Sequence, residues 1–181
     1  GNRTTKINAE NFNAFRSYNY PALATAGINI KYECDKIAHV DFSKPLKPHY
    51  AYDTNVVVLT LFPGIQENII SNILSTPGLR AVVLKTYGAG NAPSKEWFIS
   101  IVREAAGMGK ILLNVTQCMA GSVNMDIYAT GKCLKEAGVV NGYDSTTESA
   151  LGKLFHLLGR HADTTKVKVG LECDLRGEIS K

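Results

Sequence analysis

The chain has 181 residues, 45% hydrophobic and 20% charged, with 20 Lys plus Arg against 16 Asp plus Glu. That length suits one domain, or one domain with an appendage, and is enough to fold around an apolar core without a disulfide or metal. The longest apolar stretch, Val56 to Pro63, is too short to span a bilayer, and no run of like charge marks a nucleic-acid tail, so neither membrane nor nucleic acid is an expected partner.

Residues 1 to about 30 are polar and Asn-rich, with aromatics at Phe12, Phe15, Tyr18 and Tyr20. Ala22-Leu23-Ala24, closed by Gly27, is expected to form one or two helical turns. Residues 31–54 show no period and hold prolines, the pattern of a linker with edge strands at most. From Asn55 the chain becomes regular. Val56–Leu61, Leu79–Leu84 and Ile111–Val115 are apolar runs of the kind found in central parallel strands. Between them, Ile65, Ile69, Ile70, Ile73 and Leu74 fall at helical spacing, as do Trp97, Phe98, Ile101, Val102 and Ala105 behind Ser94 as N-cap. Ala129–Ala137 is a further helix, stopped by Gly138. Ser145-Thr146-Thr147-Glu148 is a capping box opening a helix with Leu151, Leu154, Phe155 and Leu158, and a last helix covers about Asp163 to Cys173. The order strand, helix, strand, helix, strand predicts an α/β fold: three layers, a short parallel sheet with right-handed βαβ crossovers, and helices on both faces.

Ligands in such sheets sit beyond the carboxyl ends of the strands. This singles out the loops at Phe62–Gly64, Lys85–Pro93 and Thr116–Gly121. Gly88 and Gly90 lie in the second, which is neither a dinucleotide fingerprint nor a P-loop. The cysteines (Cys34, Cys118, Cys133 and Cys173) form no Cys-x-x-Cys, and His156 and His161 have no further ligands at metal spacing; no metal or cofactor is expected.

Lys85-Thr86-Tyr87-Gly88-Ala89-Gly90-Asn91-Ala92-Pro93, Asn114-Val115-Thr116-Gln117-Cys118, Tyr128-Ala129-Thr130-Gly131, Leu175-Arg176-Gly177-Glu178 and the opening Gly1-Asn2-Arg3-Thr4-Thr5-Lys6 together resemble bacterial cytoplasmic (type I) L-asparaginase. The likeness covers the C-terminal half of that family. It implies that residues 1–30 are the tail end of an N-terminal catalytic domain, 31–54 an interdomain linker and 55–181 the C-terminal α/β domain.

The same resemblance implies hydrolysis of L-asparagine to L-aspartate and ammonia through a threonyl acyl-enzyme, in the cytoplasm, by a homo-oligomer (dimer or tetramer). The family's threonine turn and Thr-Asp pair do not occur in this sequence, so the chain alone is expected to be inactive. Lys6 corresponds to the family's catalytic lysine, a group that assists a hydroxyl nucleophile otherwise too weak to react; a solvated surface charge in a polar, Thr-rich segment is the competing reading. Asn91, and less firmly Tyr128, correspond to residues that reach the substrate in a neighbouring subunit; local satisfaction of a loop asparagine and a buried core tyrosine are the competing readings. Lys85, Thr116 and Cys118 correspond to a regulatory site for a second asparagine. Lys85 departs from the family there, since an arginine often occupies its position and lysine lacks the planar fork. For Cys118 the competing reading is a small buried hydrophobe. Two other functions fit the same sheet: a non-catalytic ligand-binding or assembly module, and the asparaginase-like subunit of a tRNA-dependent amidotransferase.

Overall fold

The computed structural model describes residues 1–180. Its centre is a parallel sheet in the order β5 (Val56–Thr60), β6 (Ala81–Thr86), β7 (Ile111–Thr116), β8 (Val140–Asn141). Val56 pairs with Ala81 and Ala81 with Ile111, so the three apolar runs are neighbouring parallel strands. The strand expected at Leu79–Leu84 lies two residues later, because Leu79 is held in the preceding turn by its N–H to Thr76 O (3.3 Å). β8, only two residues long, gave no run to detect; it pairs Leu113 with Val140.

Alternation along the strands builds two separate cores. Val82, Leu84 and Leu112 face one side, against α1 (Glu67–Leu74), α2 (Glu96–Gly107) and α3 (Ala129–Glu136) through Ile70, Phe98, Val102 and Leu134. Ala81, Val83, Ile111, Leu113 and Val115 face the other, against α4 (Thr147–Arg160) and α5 (Thr164–Glu172) through Leu154, Leu157, Leu158, Val167 and Leu171. Helices on both faces of β6 and β7 explain why these strands read as continuous apolar runs.

The helix starts correct the sequence reading in two places. α2 begins at Glu96 with Lys95 as N-cap and no side-chain cap, so Ser94 does not cap it. The box at Ser145 is used one residue later: Thr146 Oγ1 accepts from Ser149 N (3.1 Å), and Glu148 accepts a hydrogen bond from Thr5 instead. Asp163 caps α5 by accepting from Thr165 N (2.8 Å). Gly138, at φ 91°, follows the end of α3 as expected.

The first fifty residues hold two short hairpins. β1 (Thr5–Lys6) pairs with β2 (Phe15–Arg16), and β3 (Ala24–Ala26) with β4 (Ile30–Tyr32), all antiparallel. The helical turns expected around Ala22–Ala24 do not form. Ala24 is instead in the β3 strand, and Gly27 turns the chain into its partner.

Candidate functional site

A cavity of about 400 Å³ opens beyond the carboxyl ends of β6 and β7, against the first turn of α4 and the β1–β2 hairpin. Lys85, Thr116, Gln117 and Cys118 reach it from the sheet, Lys6 and Arg16 from the hairpin, and Glu148 from the helix. Lys6, singled out for proton handling, and Lys85, Thr116 and Cys118, singled out as a regulatory set, therefore border one space. Asn91 and Tyr128 are not among its lining residues.

The walls are fixed by polar contacts, half-buried at the strand ends and exposed where the hairpin meets α4. Thr116 Oγ1 donates to Gly88 O (2.6 Å) and accepts from Cys118 N (3.0 Å), which ties the two strand-end loops together. Gln117 Nε2 donates to Leu61 O (2.7 Å) and Lys85 O (2.9 Å), spanning the ends of three strands. Thr5 Oγ1 donates to Glu148 Oε1 at 2.6 Å and joins the hairpin to α4. Cys118 is exposed, which removes its reading as a small core residue.

Charge on this lining is unbalanced. Asp144 is occupied by Arg3, through a salt bridge of 2.7 Å with both side chains 8% exposed. Among the described residues, Lys6, Arg16 and Lys85 have no carboxylate within ion-pair distance. Lys6 Nζ instead lies over the Phe15 ring, 5.8 Å from its centroid. Set against these three cations is the single carboxylate of Glu148, so the lining is net positive and favours an anionic ligand group.

Asn91 closes a tight turn with Tyr87, Asn91 N to Tyr87 O and Tyr87 N to Asn91 O both being 2.8 Å. Its side-chain carbonyl accepts from Ala92 N (3.0 Å) and from the Thr130 hydroxyl. Tyr128 is the N-cap of α3 and 50% exposed, so it is not a buried core tyrosine. His156 packs edge-on against His49 with ring centroids 5.8 Å apart, and its pKa is lowered by burial and then by Arg160 and His49. Among the described residues no cluster of His, Cys, Asp and Glu suits a metal ion.

Sequence reasoning gave no role to the pairs that lock this end of the molecule. Arg3 and Asp144 are 141 positions apart and carry no local signal of their meeting. Lys153 and Glu178 form a second buried pair (2.6 Å, 5% exposed each), by which the closing segment is held against α4. Burial pushes the Glu178 carboxyl up, but Lys153 and the backbone N–H groups of Leu175 and Arg176 outweigh it and bring it down to about 2.

The chain is 40% identical over 189 residues to L-asparaginase 1 of Escherichia coli, an alignment covering 99% of the chain and 53% of that protein. It is 39% identical over 181 residues to the 60 kDa lysophospholipase of Homo sapiens, covering 99% of the chain and 31% of that protein. The crystal structure of L-asparaginase I from Vibrio cholerae superposes with a TM-score of 0.92 at 39% identity, covering 99% of this chain and 54% of that one. The chain thus spans about half the length of the asparaginases it matches. Residues 55–169, the span of the parallel sheet and nearly all of its helices, match the glutaminase/asparaginase C-terminal domain, and the chain belongs to that family.

Proposed function

We propose that this chain is the C-terminal part of an L-asparaginase that hydrolyses L-asparagine to L-aspartate and ammonia through a threonyl acyl-enzyme. The threonine nucleophile is supplied by sequence outside these 181 residues. In this reading residues 1–30 end a catalytic domain, 31–54 link it, and 55–181 form the C-terminal domain. The protein acts in the cytoplasm as a homo-oligomer, with Asn91 and Tyr128 contacting substrate in a neighbouring subunit. The observation that carries the proposal is the cavity lining: Lys6 shares it with Lys85 and Thr116 at the strand ends, in a chain 40% identical over 99% of its length to an L-asparaginase.

Within that reading Lys6 assists proton transfer from the hydroxyl nucleophile, which needs a base to react. The other cavity-lining groups, Lys85, Thr116 and Cys118, take the carboxylate of a second amino acid as effector. Lys85 does so as a point charge, without the bidentate fork of an arginine.

The test is ammonia release from asparagine by the whole protein. Lys6→Ala is expected to lower kcat by about 10²–10⁴-fold, the range of a lost proton-transfer group, with an unchanged melting temperature. The 181-residue chain by itself is expected to release none. Equal activity of Lys6→Ala and wild type, or hydrolysis by the isolated chain, refutes the assignment.

A further inference from the structure

The turn that carries Asn91 is held from several sides. Asn114, fully buried on β7, donates from Nδ2 to Gly90 O (3.3 Å) and accepts the Thr86 hydroxyl (2.6 Å). Asn124 N donates to Ala89 O at 2.9 Å. Gly90 adopts φ 107°, and a Cβ there would lie 2.7 Å from Val123 Cγ1, so the turn has no room to shift toward that wall.

The side chain of Asn91 is held as firmly as its backbone. The Ala92 N–H can only donate, so the end of the amide lying 3.0 Å from it is the carbonyl oxygen. The same oxygen accepts the hydroxyl of Thr130, presented by the first turn of α3. Both lone pairs of Oδ1 are then used, and turning the amide over would set an NH2 against an N–H. Nδ2 makes no hydrogen bond to any described residue. Asn91 offers its surroundings donors only.

We infer that Thr130 is a positioning residue: it fixes the Asn91 amide so that donors alone are presented, and the substrate group Asn91 selects is the α-carboxylate of an amino-acid amide rather than its α-ammonium. The inference rests on the reading of Asn91 as a substrate contact given above. An N–H donor stabilises an oxyanion and has nothing to offer an ammonium, which itself only donates. Without the Thr130 hydroxyl the amide loses one of its two restraints, and carboxylate recognition weakens while bond cleavage does not.

Kinetics of the whole protein on three amides test this: L-asparagine, succinamate (which lacks the α-amino group) and β-alaninamide (which lacks the α-carboxylate). Thr130→Val is expected to raise KM for asparagine and succinamate about tenfold, with kcat within about twofold and β-alaninamide unaffected. Thr130→Ser, which keeps the hydroxyl, is expected to match wild type. An equal KM increase for β-alaninamide, or no increase for any substrate, overturns the inference. Asn91→Ala separates the two levels: no effect on any amide removes the reading of Asn91 itself, whereas a loss on asparagine that Thr130→Val does not reproduce removes only the role of Thr130. The Asn91 NH2 signals of ¹⁵N-asparagine-labelled protein read the restraint without activity. Two dispersed, slowly exchanging resonances are expected in wild type and Thr130→Ser, collapsing toward free-amide values in Thr130→Val. Unrestrained wild-type signals overturn the inference even if the valine variant does not fold.

Discussion

Arg3 and Asp144 meet across the molecule through two hydrogen bonds, Nη1 to Oδ1 at 3.1 Å and Nη2 to Oδ2 at 2.7 Å. The guanidinium also reaches Asn19 O and Ser180 Oγ, and Asp144 Oδ1 accepts from Ser180 N at 2.7 Å. One ion pair therefore gathers the first hairpin, the segment before α4 and the end of the described chain. Arg3, Asn19 and Asp144 line the cavity, so this contact sets part of its wall.

Breaking that pair is expected to be costly. Asp144→Ala leaves a buried guanidinium unpaired and the Ser180 N–H without its acceptor, a loss of about 3–5 kcal/mol. Arg3→Lys keeps the charge but loses the fork, and a smaller loss is expected. Urea unfolding of each variant measures both, and an Asp144→Ala midpoint equal to wild type contradicts the account.

Stability is expected to fall in acid because of Glu178. Its folded-state pKa of about 2 lies below the ordinary 4.5, so its stabilisation is fully present above 4.5 and is lost as pH falls through the folded value. Glu178→Gln removes most of that dependence between pH 5 and 2, at the expense of a less satisfied Lys153. Denaturant midpoints recorded against pH decide it; identical slopes in wild type and variant would count against the pair.

The connection into β5 is seated on α4 at a glycine. A Cβ on Gly159 would lie 2.4 Å from Tyr52 Cα and 2.5 Å from Tyr52 N, while Asp53 N donates to Phe155 O at 3.0 Å and Asp53 pairs with Arg80 at 3.0 Å. Gly159→Ala is expected to cost about 1–3 kcal/mol through overpacking and to speed chymotryptic cleavage beside Tyr50 and Tyr52. Gly152, on the same helix with nothing within 4 Å of its Cβ position, is the control. Gly152→Ala should gain about 0.5–1 kcal/mol from helix propensity.

The sheet and its helices were legible because they obey local rules. Val82, Leu84 and Leu112 alternate with Ala81, Val83 and Leu113, so strands buried on both faces can be written as unbroken apolar runs. Helical spacing likewise placed α1, α2 and α4 to within two residues or so. Where the local rule is weak, the structure departs from it. Two-residue strands such as β8 leave no period, Ser94 was one turn residue too early to cap, and Ala24 joined a hairpin that only its partner strand specifies.

The sequence by itself determined the α/β architecture and the loops that carry Lys85, Asn91, Thr116 and Cys118, since these follow from hydrophobic period and from motifs read within a few residues. Only the tertiary structure decided that Lys6 shares a cavity with Lys85, Thr116 and Cys118, that Asn91 lies outside it under the hydroxyl of Thr130, and that Arg3 finds Asp144. The physical reason is sequence separation. Charges and hydroxyls 39 to 141 positions apart exert no influence on local backbone preference, and they acquire partners only once the two apolar cores have brought their elements together.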